Sequence, residues 1–265
     1  MIGLIALATA GLCLIMALGW TFQRARNNGG WTDVFWTFGV GVTGVACALW
    51  PLHGGAPSLR QWLTAALVGA WSARLGGHIA LRVARSPEDA RYADLRAAWG
   101  RDFQGRMARF LAGQGVFSLP LLTSVAIAAH NRAPHLQLSD VGGALVLVIA
   151  VAGEALSDRQ LAAFKSDPAS AGRVCDVGLW AWSRHPNYFF EWFGWLAYPL
   201  IALGAPWPQA ALTLAAPLAM YLILRFGTGA PPLEAHMLRS RGAAFRAYQR
   251  RTSPFFLLPP KRRGA

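Results

Sequence analysis

The sequence predicts an all-α, polytopic membrane protein, and three observations point to this class. The 265 residues are 54% hydrophobic and only 14% charged, whereas soluble domains carry roughly 25% charged residues. Apolar runs recur at close to the roughly 20 residues that a helix needs to cross a bilayer. The basic residues are concentrated after alternate runs, which is typical of chains that cross a membrane repeatedly.

Seven apolar runs predict about seven transmembrane helices. They cover residues 2–22, 31–52, 60–81, 114–130, 138–164, 188–204 and 207–226. The first run has no basic start and no clear cleavage site, so we interpret it as a spanning helix and not as a signal peptide. The fourth and sixth runs are short and are expected to be tilted or partly re-entrant.

All 265 residues are expected to form one integral membrane domain. Its parts are the first three helices (1–82), a basic loop (83–113), helices four to seven (114–228) and a basic tail (229–265). The net charge of +13 is carried mainly by the segments that follow helices one, three, five and seven. The positive-inside rule assigns these segments to the cytoplasm, which places the N-terminus outside and the C-terminus inside.

Composition also bears on ligands. The arginines flank apolar runs, and no nucleic-acid module is visible, so the basic charge indicates lipid headgroups or an anionic cofactor and not nucleic acid. The three cysteines and six histidines show no metal-ligand spacing, so no metal site is predicted. Residues 39–44 match the dinucleotide pattern G-x-G-x-x-G, but they lie inside an apolar run, where small residues predict close helix packing.

The polar segment Ser-Arg-His-Pro-Asn-Tyr-Phe-Phe-Glu begins the sixth run. Arg184 and His185, next to free backbone N–H groups at a helix start, suit a phosphate or carboxylate. Asn187 and Glu191 lie one helical turn apart on one face, with Tyr188 between them. A snorkelling Arg-His pair at the membrane boundary is the alternative, but the added amide and carboxylate favour a binding site.

Helix five carries a polar face. Glu154, Asp158 and Lys165 are spaced by four and seven residues, which places them on one side of the helix. Such a stripe should face the bundle interior or a water-filled cavity. We interpret it as part of a site, with a structural ion pair as the alternative.

Two further basic segments are candidates. Arg82 closes helix three, and the following Ser86-Pro-Glu-Asp89 predicts a new helix capped by Ser86. The tail from Glu234 to Tyr248 predicts a basic, aromatic helix, followed by Arg251, that folds back as a lid. For both segments the alternative is an amphipathic helix at the membrane surface.

These motifs resemble a known family. The run at 178–191 is similar to the C-terminal signature of the steroid 5-alpha-reductase-like membrane proteins, and more closely to their bacterial branch of formerly unknown function. Asp158-x-Gln160, Glu88-Asp89-x-Arg-Tyr and Pro-Pro-Leu-Glu234 recur in that branch at these relative positions. The resemblance covers about residues 71–259.

The resemblance implies a seven-helix reductase of a bacterial inner membrane, with its cofactor site facing the cytoplasm. Such an enzyme uses NADPH to saturate a carbon–carbon double bond conjugated to a carbonyl in a lipophilic, steroid-like or other lipid substrate. Matched positions assign cofactor binding to Arg82, Asp158, Lys165, Asn187 and Glu191. The remaining predicted cofactor residues are Glu154, Arg184, His185, Tyr188, Glu234, Tyr248 and Arg251.

The chain departs from the family at the proton donor. The reductases that act on steroids have a His-Tyr-x-x-Arg pattern at the end of helix three and a glutamate on helix two. Here the pattern reads His78-Ile-Ala-Leu-Arg82, without the tyrosine. A hydride step still needs an acid near the developing enolate, and the candidates are Asp33, His78 and Tyr92.

Two other functions remain open. Arg-His-Pro-x-Tyr followed by a tail glutamate also resembles membrane methyltransferases that use S-adenosylmethionine, such as the isoprenylcysteine carboxyl methyltransferases. Their motif usually has a glycine shortly after the tyrosine, whereas this chain continues Phe-Phe-Glu191. The second alternative is a lipid-binding membrane protein without a cofactor.

Overall fold

The computed structural model describes residues 1–52 and 54–261, and their regular structure is helical. Residues 262–265 of the basic tail lie outside this description. The α-helices are α1 (Ile2–Arg26), α2 (Trp31–Leu49), α3 (Leu59–Arg85), α4 (Ala90–Trp99), α5 (Phe103–Phe117), α6 (Leu119–Ala129), α7 (Leu138–Ser166), α8 (Leu179–Trp182), α9 (Pro186–Gly194), α10 (Ala197–Ile201), α11 (Gln209–Leu212), α12 (Ala215–Phe226) and α13 (Ala230–Arg251). The prediction of an all-α class is confirmed.

Several of these helices are long and apolar enough to cross a bilayer, so the chain is an integral membrane protein of the helical-bundle type. Within the described residues the candidate spans are Ile2–Arg26, Trp31–Leu49, Ala90–Ala129, Leu138–Ser166 and Gln209–Arg251. α3 has the length, at 27 residues, but it is not among these apolar spans. The number of seven spanning helices and their orientation stay predictions.

The first, second, third and fifth predicted runs match α1, α2, α3 and α7 closely. The fourth, sixth and seventh runs are each divided between two helices, the seventh at Thr213 and Leu214 between α11 and α12. The fourth run begins inside α5, and the chain changes helix at Ser118 before α6. The sixth run divides into α9 and α10, because the chain turns at Trp195 and Leu196. The predicted cap at Ser86 is wrong. Ser86 ends α3, and the side chain of Asp89 instead accepts a hydrogen bond from the Arg91 N–H at the start of α4.

The first of two compact units contains residues 1–144 and 197–216. Its core is formed by α1, α2 and α3 together with α5 and α6. At the start of α3, the buried guanidinium of Arg60 forms a bidentate ion pair with Asp140 at 2.8 and 2.9 Å. The same guanidinium also donates to the backbone carbonyls of Asn131, Ala133 and His135. This cluster ties the loop before α7 to α3.

Small residues set the spacing of α2, as the pattern at 39–44 predicted. A Cβ atom on Gly41 would lie 2.1 Å from the Ser72 Oγ and 2.3 Å from the Ser72 Cβ of α3. A Cβ on Gly39 would lie 2.7 Å from Leu12 of α1, and one on Gly44 would lie 2.9 Å from Val68 of α3. These glycines therefore allow the helices to approach closely.

The second unit contains residues 145–196 and 217–265, and thus α8, α9, α13 and most of α7 and α12. α7 and α9 touch at Gly153, where a Cβ would lie 2.3 Å from the ring of Phe190. α13 changes direction at Gly242, whose φ of 48° lies in the left-handed region. The predicted tail helix therefore exists, beginning at Ala230 and bent in the middle.

Gly41→Ala should destabilise the protein by about 1–3 kcal/mol, because the added methyl group overpacks the contact between α2 and α3. Gly77→Ala on α3 is the matched control, since a Cβ at Gly77 meets no atom within 4 Å. The control should be neutral or more stable by up to about 1 kcal/mol. Thermal unfolding of both variants in detergent tests this, and equal melting temperatures would contradict the packing argument.

Candidate cofactor site

The second unit contains most of the predicted cofactor residues, and α7 anchors them. The side chain of Gln160 accepts a hydrogen bond from the Leu179 N–H at 2.9 Å, at the start of α8. The Trp180 indole N–H donates to the Ser157 carbonyl at 2.9 Å. Gly178, with a φ of 57°, allows the turn that brings the chain against the amide of Gln160. The Asp-x-Gln motif therefore positions the Arg-His-Pro segment.

Asp158 and Asn187 bring α7 and α9 together at a polar contact. The Asn187 amide donates to the Asp158 Oδ1 across 3.4 Å. Glu154 and Glu191, each one helical turn from this contact along its helix, are both buried. The Glu191 Oε1 accepts a hydrogen bond from the Trp195 indole at 3.1 Å. Two elements that are distant in sequence therefore contribute an acid and an amide to one place.

The carboxylate of Glu234 in α13 holds the Arg-His pair. It accepts from the Arg184 Nε at 2.7 Å and from the Arg184 NH2 group at 3.3 Å. It also accepts from the His185 Nε2 at 3.0 Å and from the Gln249 amide at 2.9 Å. The side chains of Arg184 and Glu234 are only 10% and 17% exposed. We name Arg184, His185, Glu234 and Gln249 the Glu234 cluster.

Arg184 also binds the backbone at the end of α13. Its NH1 group donates to the carbonyls of Gln249 and Thr252 at 3.2 and 3.0 Å. Four of the five guanidinium donors are therefore used within the protein. Arg184 positions the segment, and its direct contact with a cofactor stays a prediction.

Tyr248 and the segment after α13 complete this arrangement. The Tyr248 hydroxyl donates to the Trp180 carbonyl at 2.5 Å. The Ser183 hydroxyl donates to the Phe255 carbonyl at 2.7 Å, and the Arg184 N–H donates to the Ser253 carbonyl at 2.9 Å. As predicted, the tail helix folds back onto the motif, but Tyr248 contacts the backbone and is buried.

His185 lies in an environment that disfavours its charged form. Burial lowers its pKa below the usual range and outweighs the hydrogen bond and the negative charge of Glu234, which raise it. The positive charges of Arg184 and Arg225 lower the pKa further. Because a carboxylate can only accept, the Nε2 of the neutral ring carries the proton. The ring also stacks on Tyr188, with centroids 5.5 Å apart and planes 9° apart.

The cations of this unit differ in whether a carboxylate of the protein already pairs with them. The guanidinium of Arg251 forms an ion pair with Asp176, so it is used within the protein. Lys165 is exposed at the end of α7. Arg225 was not among the predicted site residues, yet its charge acts on His185, and its guanidinium lies 4.9 Å from the Phe226 ring. The sequence did contain a signal for Arg225, since it lies near the end of α12 as Arg82 lies near the end of α3.

The first unit contains the proton-donor candidates, and it brings two of them together. The buried Tyr92 hydroxyl donates to the Asp33 Oδ1 at 2.8 Å and accepts from the Thr32 hydroxyl at 2.8 Å. Arg91 pairs with the other oxygen of Asp33 at 2.5 Å. His78 lies half-buried in α3. The Asp33–Tyr92 pair thus joins the first turn of α2 to α4.

Arg82, the remaining predicted cofactor residue, is half exposed in α3. Its NH2 group lies 3.9 Å from the Asp89 carboxylate, a long ion pair in a solvated position that contributes little stability. Its side chain therefore keeps the freedom to bind another anion.

Comparison with known proteins identifies the family. The family model described as a protein of unknown function, DUF1295, matches residues 19–252. The chain belongs to the DUF1295 family. This is a family of membrane proteins related to steroid 5-alpha-reductases, so the resemblance in the motifs is confirmed at that level. No curated protein and no solved structure matches this DUF1295 protein.

Glu234→Gln should destabilise the DUF1295 protein by about 3 kcal/mol, because it leaves the largely buried Arg184 without its counter-charge. The matched control is Asp102→Asn, which neutralises an exposed carboxylate and should change stability by less than about 0.5 kcal/mol. Melting temperatures in detergent measure both effects. A Glu234→Gln variant as stable as the control would show that the Glu234 cluster contributes no stability.

Acid should lower the stability of the folded protein through His185. A histidine whose folded-state pKa is depressed resists protonation in the folded protein, so its contribution to stability is present above its unfolded pKa and is lost as the pH falls below about 6.5. The melting temperature should therefore fall between about pH 7 and pH 5.5 more steeply in the wild type than in His185→Gln. Parallel pH profiles for the two proteins would contradict this assignment.

Proposed function

We propose that this protein is a membrane reductase that uses NADPH to reduce a conjugated carbon–carbon double bond of a lipophilic carbonyl substrate. The contact between Asp158 and Asn187 is the observation that carries the proposal. Family resemblance assigns cofactor binding to both residues, and they come from helices that are far apart in sequence yet meet within hydrogen-bonding distance. A chance match of two unrelated motifs would not require that meeting.

The donor set fits a dinucleotide. Carboxylates such as Asp158 accept hydrogen bonds from ribose hydroxyls and from the nicotinamide amide, while the amide of Asn187 both donates and accepts. The phosphates need cations, and we propose Arg225 and Lys165 for that role. Arg184 instead fixes the backbone of the motif through the Glu234 cluster.

Bound NADPH would supply a hydride to the carbon chain of the substrate. The protein must then stabilise negative charge on the carbonyl oxygen and deliver a proton to the neighbouring carbon. The Tyr92 hydroxyl donates a hydrogen bond to Asp33, so the two groups can pass a proton between them. We propose this pair as the proton source in place of the tyrosine that steroid reductases carry one residue after the position of His78.

A methyltransferase that uses S-adenosylmethionine is the second candidate, and one observation favours it. Arg184, His185 and Glu234 are the residues that the chain shares with those enzymes, and they form one cluster. The same cluster is compatible with the reductase, since it organises the backbone in either case. Asp158, Asn187 and Glu191 are the residues that distinguish the two functions.

Thermal shift of the purified protein with each cofactor tests the choice. NADPH should raise the melting temperature of the wild type, with a stabilisation of about 2.7 kcal/mol at 100 times the dissociation constant. Asp158→Asn and Glu191→Gln should weaken NADPH binding by about tenfold each, because each loses a charged acceptor. Asp102→Asn is the matched control and should bind NADPH as the wild type does.

The other outcomes are equally specific. Stabilisation by S-adenosylmethionine but not by NADPH would replace the reductase with the methyltransferase. A response to neither cofactor would favour the non-enzymatic, lipid-binding alternative. Loss of NADPH binding in Asp102→Asn as well would show that the loss does not arise at the Asp158–Asn187 site.

A further inference from the structure

Five arginines of the first unit form an exposed basic surface outside the candidate cofactor site. Two lie in the last turn of α1, and three lie at the start of α5 or just before it. They are Arg24, Arg26, Arg101, Arg106 and Arg109, and all five are exposed. We name them the α1–α5 basic surface.

The two helices are packed together, so these arginines share one region of the unit. α5 turns Phe103, Met107 and Leu111 inward, each at most 4% exposed. A Cβ on Gly115 would lie 2.8 Å from the Cys13 Sγ of α1, and the Trp20 indole of α1 donates to the Gln104 carbonyl at 3.1 Å. The arginines of α5 lie on the opposite, outward face, around Gly105, where an added Cβ would meet no atom within 4 Å.

These arginines lack the counter-ions that other arginines of the protein have. Arg60, Arg91, Arg96, Arg184 and Arg251 each form an ion pair with a carboxylate. Among the described residues, none of the five arginines of the α1–α5 basic surface forms such a pair. The acidic residue that lies among them in the sequence, Asp102, is exposed. The surface therefore carries a net positive charge of about four that the protein itself does not neutralise.

Aromatic rings place this surface at the edge of the membrane. The guanidinium of Arg24 lies 5.6 Å from the Trp20 ring, and that of Arg26 lies 5.4 Å from the Phe22 ring. Tryptophan rings and snorkelling arginines are typical of the level of the lipid headgroups. Arg24 and Arg26 also end the apolar span Ile2–Arg26, so these two charges lie where the apolar surface of α1 stops.

We propose that the α1–α5 basic surface binds the headgroups of anionic phospholipids. Charge complementarity selects the ligand, because the phosphodiester of every phospholipid is negative but only an anionic lipid keeps a net negative charge. The aromatic rings next to the arginines select a lipid over a soluble anion, since they lie against the start of the acyl region. Basic residues next to a membrane span attract anionic lipid by about fivefold in affinity each.

Native mass spectrometry of lipid adducts tests this proposal. The protein is equilibrated in detergent with equal amounts of phosphatidylglycerol and phosphatidylcholine of the same acyl chains. Wild type should retain mainly phosphatidylglycerol. The triple variant Arg101→Gln/Arg106→Gln/Arg109→Gln should lower the ratio of the two bound lipids by about tenfold or more.

The matched control removes the same charge elsewhere. Arg173→Gln/Arg246→Gln/Arg250→Gln changes three exposed arginines of the second unit and should leave the lipid ratio within about twofold of the wild type. If the α5 triple variant does not fold, Arg24→Gln/Arg26→Gln on α1 provides the second test, with a decrease of about fivefold or more.

Three results would overturn the proposal. One is a wild type that shows no preference between the two lipids. Another is an equal loss of preference in the two triple variants, which would mean that overall charge alone attracts the lipid. The third is displacement of bound phosphatidylglycerol by an excess of inorganic phosphate, which would show that the arginines bind a soluble anion.

Discussion

One carboxylate organises the part of the protein that contains the candidate cofactor site. Glu234 accepts hydrogen bonds from Arg184, His185 and Gln249. A largely buried charge needs a partner and filled hydrogen-bonding positions, or its desolvation becomes costly. Since Arg184 and His185 precede α9 and Glu234 lies in α13, the need to satisfy this charge decides where the tail helix lies.

The polar contact between Asp158 and Asn187 depends on that arrangement. Arg184 and His185 fix the backbone just before Pro186, and Gln160 and Ser157 fix α8 against α7. Between these two attachments, α9 has little freedom, and its first turn places Asn187 at Asp158. A site that is held in this way by buried neighbours is preorganised, which is what recognition of a flexible dinucleotide requires. Within the motif that resembles both reductases and methyltransferases, Arg184 and His185 therefore hold the backbone in place.

The polar groups of the first unit follow a different logic. Asp33 and Tyr92 are joined to Arg91 and Thr32 in a closed hydrogen-bonded group, and Arg60 and Asp140 form another. Buried polar groups in a membrane protein must find partners inside the protein. The exposed arginines at the ends of α1 and α5 have no such constraint. Their charge remains available to the surroundings of the protein.

The sequence by itself determined the class, the limits of the long helices and the pairing of small residues with close helix contacts, because apolar runs and glycine patterns are local signals that burial in lipid makes strong. It also indicated Asp158 and Asn187 as members of one site. Only the tertiary structure decided that Arg184 forms an ion pair with Glu234 and that Asp89, not Ser86, caps α4. It also decided that the charge of Arg225 lowers the pKa of His185. Hydrogen-bond partners far apart in the chain decide these points, and no local pattern of residue types records which donor finds which acceptor.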